Sequence, residues 1–84
     1  MAMTTDFTGT YDYEREEAAE IADTFCEDLR DGYYRNADEY QQRVIRERAH
    51  WAKIRDFNMA DFSDEFNKRT VPLCRAAFGI EIYL

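Results

Sequence analysis

Residues 36–55, with the sequence NADEYQQRVIRERAHWAKIR, decide the fold class of this chain. Asn36 and Glu39 have the N-x-x-E spacing of a capping box, in which side chains bind backbone N–H groups that the first helical turn leaves free. From there, apolar residues recur every three or four positions, as they do on one face of a helix. They are Ala37, Tyr40, Val44, Trp51 and Ile54. The pattern predicts a helix over residues 37–55.

A helix of similar length is predicted over residues 12–31. Its apolar residues share one helical face, and they are Ala18, Ile21, Ala22, Phe25 and Leu29. Thr10 or Asp12 would cap its start, and Gly32 follows its end as a helix-stopping glycine does. Because only residues 32–35 separate the two helices, we expect them to form an antiparallel hairpin.

The C-terminal third has a less regular pattern, which predicts a third helix over residues 59–69. Its apolar positions are Met59, Phe62 and Phe66. Pro72 interrupts this pattern, because proline has no N–H donor and clashes with the preceding turn. We therefore expect a short fourth helix over residues 72–78, with Pro72 in its first turn and Gly79 after its end. A single helix kinked at Pro72 is the alternative.

The chain ends in residues 80–84, where apolar and polar side chains alternate as they do in a strand. A lone strand is not stable. It would pair with the threonine-rich residues 1–10, expected to be an extended lead-in, with a second copy of the chain, or with a partner protein. A homodimer formed in this way would use Ile80, Ile82 and Leu84. The expected fold is one mainly α-helical domain over residues 1–84, with a helical hairpin, one or two shorter helices and a short C-terminal β-strand.

The composition excludes several classes of protein. The chain has 84 residues, of which 45% are hydrophobic, so it can form a core. Its three glycines and one proline are too few for a collagen-like, linker-like or turn-dense all-β protein. The N-terminus lacks the features of a signal peptide, and no run of about 18 apolar residues is present, so we expect a cytoplasmic protein without membrane contacts. A net charge of −7 argues against a direct nucleic-acid partner, because nucleic-acid-binding domains carry a basic surface.

The negative charge is concentrated in the first helix. Residues 12–31 hold nine acidic and two basic side chains, whereas residues 37–55 hold three acidic and five basic ones. Five of the acids recur at steps of three or four residues, which places them in a row about 22 Å long on one helical face. They are Glu16, Glu20, Asp23, Glu27 and Asp31. Phosphates along one DNA strand have a similar spacing, so such a row can imitate a nucleic-acid backbone.

Two structural explanations compete with a binding role for this row. It is either a solvated face that keeps the protein soluble, or one half of an internal pairing with a basic row on the second helix. The basic row consists of Arg43, Arg46, His50 and Lys53. A binding role would instead bring the acids to a positively charged partner. The excess of acid on the first helix over base on the second supports this third interpretation.

The sequence contains no catalytic, metal-binding or cofactor-binding signature. His50 is the only histidine, so its E-x-x-H spacing from Glu47 cannot build a di-iron site, which needs two such motifs. Cys26 and Cys74 lie in apolar helical stretches, which predicts buried thiols in place of a disulfide. The three glycines are too widely spaced to form a phosphate-binding loop. We therefore expect no enzymatic activity, no metal and no cofactor.

The aromatic residues divide into two groups. Those expected in the core are Phe25, Trp51, Phe62, Phe66 and Phe78. Tyr33 and Tyr34 follow the first helix, next to its acidic residues. Tyrosine beside carboxylate suits a protein interface, because the ring supplies contact area and the hydroxyl a polar tip. Packing of these rings against the end of the hairpin is the alternative.

A small, acidic, tyrosine-rich helical chain with this row of carboxylates resembles the phage-encoded inhibitors of host defence. In the DNA-mimic members of that group, carboxylate rows occupy the nucleic-acid channel of a restriction or CRISPR enzyme. Bacteriocin immunity proteins and antitoxins share the profile. The expected function is a non-catalytic inhibitor that blocks a basic surface of a target protein, and a homo-oligomeric structural or accessory protein is the alternative. The residues expected to contact the target are Glu16, Glu20, Asp23, Glu27, Asp31, Tyr33 and Tyr34.

Overall fold

The computed structural model describes residues 13–84, which form three helices. The helices are α1 (Tyr13–Arg30), α2 (Ala37–Trp51) and α3 (Met59–Phe78). The expectation of a mainly helical protein is confirmed, and α1 lies within one residue of its predicted bounds at each end. The extended lead-in over residues 1–10 and the helix cap at Thr10 or Asp12 lie outside the described residues.

The closely packed helix pair is α1 with α3, not the predicted hairpin of α1 with α2. Contacts between them advance in the same direction along both helices, so α1 and α3 are parallel. They join Glu14 to Asn58 (3.1 Å), Arg15 to Asp61 (3.2 Å) and Asp23 to Arg69 (3.7 Å). Two fully buried alanines of α1, Ala18 and Ala22, allow this close approach, because small side chains let helix axes come together.

α2 returns the chain from the end of α1 to the start of α3 and contacts both through large side chains. The ring of Tyr40 packs against Phe25 of α1 at 6.0 Å and Phe78 of α3 at 6.0 Å between ring centroids. At the other end of α2, Trp51 packs against Phe62 at 4.9 Å. These bulky rings separate the α2 backbone from α1, which is why the predicted hairpin is not the tight contact.

α2 begins where the sequence predicts and ends four residues early. The Asn36 side chain accepts a hydrogen bond from the Glu39 N–H at 2.9 Å, as the capping motif requires. The helix stops at Trp51 because Phe57 must return to stack on the Trp51 ring, with 5.2 Å between centroids. The chain therefore turns over residues 52–56, and Ile54, predicted to lie on the buried stripe, is exposed.

α3 runs without interruption through Pro72, so the prediction of separate helices over 59–69 and 72–78 is wrong, and the single helix is observed. Val71 and Cys74 are buried on either side of Pro72, while the proline itself faces solvent. Packing of this face holds the helix across the position where a backbone hydrogen bond is missing. Gly79 then ends α3 with a positive φ of 76°, a conformation that glycine adopts without strain.

Replacing Pro72 with alanine is expected to stabilise the protein. The new N–H can complete the helical hydrogen bond to the Lys68 carbonyl, and proline in a helix interior costs about 3 kcal/mol relative to alanine. The greater freedom of the unfolded chain offsets about 0.4–1 kcal/mol of that gain. We expect an increase of about 2–2.5 kcal/mol in the free energy of unfolding, measured by urea denaturation. A Pro72→Ala protein less stable than the parent would contradict a continuous α3.

The C-terminal residues 80–84 do not form the predicted strand, and no strand occurs anywhere in residues 13–84. The tail folds back from Gly79, and the Leu84 N–H donates to the Asn67 side-chain oxygen at 2.7 Å in place of a strand partner. Ile82 and Leu84 are only 6% and 8% exposed in the core of the same chain. Two of the three residues predicted for a homodimer are therefore not available to a second copy, and only Ile80 is exposed.

Candidate functional site

The five acidic residues singled out from the sequence all lie on the surface of the protein. We call Glu16, Glu20, Asp23, Glu27 and Asp31 the acidic ridge. The first four belong to α1, and Asp31 continues the helical turn because its N–H donates to the Glu27 carbonyl at 3.0 Å. The periodicity of an α-helix places all five on one side of α1, as predicted.

The internal pairing between the acidic ridge and the basic row of α2 does not form. Arg43 does bind a carboxylate of α1, but its partner at 2.6 Å is Asp28, which is not part of the ridge. Within residues 13–84, Arg46, His50 and Lys53 form no ion pair with α1. The basic row of α2 therefore leaves the ridge unneutralised.

Among the described residues, one residue of α3 reaches the ridge with an ion pair. Asp23 lies 3.7 Å from Arg69 of α3, and the side chain of Asp23 is 75% exposed while that of Arg69 is 42% exposed. Glu20, Glu27 and Asp31 have no ion-pair partner among the residues that the structure describes. Three of the five carboxylates thus remain exposed and unpaired within this part of the chain.

The two tyrosines predicted to contact a partner have different environments. Tyr33 is 66% exposed, whereas Tyr34 is only 6% exposed and belongs to the core. The Tyr34 hydroxyl accepts a hydrogen bond from Arg43 Nη1 at 2.6 Å, and burial raises the pKa of Tyr34 to about 12. Tyr34 is therefore a structural residue, because its ring and its hydroxyl are both engaged within the protein. Tyr33 keeps its predicted exposure.

A cleft lies at the connection between α1 and α2. Gly32 has a positive φ of 70°, and the Tyr33 N–H donates to the Asp28 carbonyl at 2.9 Å, which closes the end of α1 as a Schellman motif and fixes Tyr33 in place. We call the concavity the arginine cleft; it has a volume of about 690 Å³. Its lining residues are Tyr33, Tyr34, Arg35, Glu39, Arg43 and Arg46.

A second charged cluster joins α1 to α3, and no sequence pattern predicted it. Arg15 contacts Asp61 at 3.2 Å, Asp64 at 3.0 Å and Glu65 at 3.4 Å. These residues are 46 or more positions apart in the chain, so no local spacing could reveal the contact. Arg15 is one of the two basic residues of α1, and the cluster pairs it with carboxylates of α3. The outer face of α1 is more negative as a result.

Glu65 is the most buried carboxylate in this cluster, with 7% exposure. Arg69 Nε donates to it at 2.9 Å, and Lys68 lies 3.1 Å away on the same helix. The hydrogen bond from Arg69 is the main reason that the pKa of Glu65 is lowered. Glu65 therefore stays ionised and holds the parallel pair of helices together.

The two cysteines are free and buried, as predicted. Burial raises the pKa of both thiols, which lowers their nucleophilicity at neutral pH. Within the described part of the chain, no group of three or more His, Cys, Asp or Glu side chains is placed to hold a metal ion. None of α1, α2 and α3 combines the length and the apolar character needed to cross a membrane.

Comparison with models of protein families, with curated proteins and with solved structures finds no match to this chain.

Proposed function

We propose that this chain is a non-catalytic binding protein whose acidic ridge occupies a basic, nucleic-acid-binding surface of a partner protein. The observation that carries the proposal is the state of Glu20, Glu27 and Asp31, which are exposed and unpaired within the described residues. The same structure pairs other charges of α1 inside the fold, as Asp28 with Arg43 and Arg15 with Asp61 show. Within the described residues, these three carboxylates of the ridge are thus charges that the fold leaves unpaired.

The electrostatics of the free protein favour such a partner. Neighbouring carboxylates at helical spacing repel one another by about 0.2–0.5 kcal/mol per pair. A basic surface relieves this repulsion on contact, because its cations attract the carboxylates. Complementary charge speeds association and selects the partner, so binding should weaken steeply as salt is added.

The class of partner follows from the geometry of the ridge and the resemblance to counter-defence inhibitors. A straight helical row of carboxylates fits a groove that normally holds a phosphate backbone. Restriction and CRISPR enzymes have such grooves, so a phage counter-defence role is the first form of the proposal. An immunity protein or an antitoxin would use the same ridge in the same way.

Reversing Glu20 and Glu27 to lysine is expected to weaken partner binding by about 10–100-fold, because each reversal replaces an attraction with a repulsion. The helix should remain folded, since both changes remove like-charge neighbours within α1. The measurement is capture of partners from an extract of the cells that encode the chain, at low and high salt. Elution with double-stranded DNA then tests whether the captured surface binds nucleic acid.

The matched control adds the same amount of positive charge on the outside of α2. Asp38→Lys, Gln41→Lys and Gln42→Lys together raise the net charge by as much as the two reversals do, and all three positions are exposed. This control should retain the partner. Equal loss in the control and the reversal protein, or retention of the partner by both, would refute a specific role for the ridge.

A further inference from the structure

The arginine cleft has a charge opposite to that of the protein. Three of its six lining residues are arginines and one is a glutamate, in a chain whose net charge is −7. Its volume of about 690 Å³ falls within the range of about 300–1,000 Å³ typical of sites for small molecules. The acidic ridge does not line it, so the cleft needs a ligand of a different kind from the partner proposed above.

Arg43 lines this cleft and has hydrogen-bond donors that no described residue accepts. Its Nη1 contacts both Asp28 Oδ2 and the Tyr34 hydroxyl at 2.6 Å. The guanidinium also lies over the Phe25 ring, 4.3 Å from the ring centroid, which fixes its plane. Its Nε and Nη2 groups have no acceptor among residues 13–84, although the side chain is only 28% exposed. A half-buried guanidinium with free donors in a fixed plane is arranged to receive an anion.

The other walls of the cleft supply a second cation and a flat ring. Arg46 is exposed and forms no ion pair within the described residues. Arg35 is held by Glu39, which binds its backbone N–H at 2.8 Å and its Nε at 3.1 Å. Tyr33 stands edge-on against Tyr34, with 5.1 Å between ring centroids, and leaves two thirds of its surface open. An exposed aromatic ring beside arginines can stack on a planar group.

The geometry points to a binding site for a small phosphate monoester that carries a planar ring, such as a nucleoside monophosphate. The phosphate would meet the free donors of Arg43 and the guanidinium of Arg46, and the ring would stack on Tyr33. A long nucleic acid is disfavoured, because Asp31 of the acidic ridge lies only two residues before Tyr33 and would repel its further phosphates.

Isothermal titration calorimetry with adenosine 5′-monophosphate tests this site, with adenosine and inorganic phosphate as comparison ligands. The monophosphate is expected to bind more tightly than either comparison ligand. Arg46→Gln should weaken its binding at least tenfold, because the variant lacks the guanidinium that would meet the phosphate. The variant should still fold, since the Arg46 side chain is exposed and makes no contact on which folding depends. Tyr33→Ala should weaken the monophosphate about tenfold and leave the affinity for inorganic phosphate unchanged.

Arg48→Gln is the matched control, since Arg48 is exposed on α2, outside the cleft, and its loss changes the net charge equally. It should leave the affinity unchanged, and circular dichroism should show that every variant is folded. Absence of monophosphate binding at millimolar concentration would overturn the proposal. So would an equal effect of Arg46→Gln and Arg48→Gln, or equal affinities for the monophosphate and for either comparison ligand. None of these results depends on the acidic ridge.

Discussion

Replacing Phe25 with alanine is expected to lower the free energy of unfolding by about 3–5 kcal/mol, the range for removing a fully buried phenylalanine. Phe25 of α1 is 1% exposed and packs against both α2 and α3. Its ring lies 6.0 Å from that of Tyr40 in α2 and 4.9 Å from that of Phe66 in α3. A domain of this size has a total stability of about 4–13 kcal/mol, so the change removes a large part of it. Denaturation in urea, followed by circular dichroism, measures the loss.

Two further variants make this result interpretable. Ile45→Ala removes a side chain of α2 that is 52% exposed, and its effect should stay within about 0.5 kcal/mol. Phe25→Leu keeps the site apolar and should cost less than Phe25→Ala, so it gives a measurable value if the alanine protein does not fold. Similar costs for Phe25→Ala and Ile45→Ala would show that the three helices do not meet at Phe25.

Replacing Glu65 with alanine is expected to cost about 1–3 kcal/mol. Removing one member of a fully buried ion pair costs about 3–5 kcal/mol, because the remaining charge is left in the interior. Here the cations are partly solvated, since the side chains of Arg15 and Arg69 are 35% and 42% exposed, and they regain water when Glu65 is lost. The same change at Glu27, which is exposed and repelled by its neighbours, should have little effect or a small stabilising one. Urea denaturation of the two variants makes the comparison.

The pH dependence of stability gives Glu65 a separate signature. The pKa of Glu65 is lowered from 4.5 in the folded protein, mainly by the hydrogen bond from Arg69. A lowered pKa means that the carboxylate stabilises the fold fully above the unfolded value and loses this effect as the pH falls through the folded value. The stability difference between the parent and Glu65→Gln should therefore be constant at neutral pH and shrink below pH 4.5. A difference that grows on acidification would contradict this assignment.

Local patterns in the sequence determined most of the helical structure. The capping residue Asn36 and the apolar spacing after it placed the start of α2 correctly, and the same spacing identified α1. Both signals act within a few residues, so they need no information about the rest of the chain. The exposure of the acidic ridge also follows in part from spacing, because residues three and four apart share a helical face.

Pro72 and the C-terminal tail show where local rules fail. Proline ordinarily ends or kinks a helix. Here Val71 and Cys74 are buried beside it, and their packing keeps α3 intact. Apolar and polar side chains do alternate in residues 80–84. However, Ile82 and Leu84 are buried in the core of their own chain and do not pair with a neighbouring strand. In both segments, burial outweighs the local preference.

The sequence by itself determined that the chain is mainly helical, where α2 begins, and that five carboxylates share one face of α1. Only the tertiary structure decided that α3 is the close partner of α1, that Arg43 pairs with Asp28, and that Tyr34 is buried while Tyr33 is exposed. The physical reason is the distance along the chain over which each interaction acts. Helical periodicity and capping depend on atoms a few residues apart, whereas the choice of helix partner depends on contacts such as that of Arg15 with Asp61, 46 positions away.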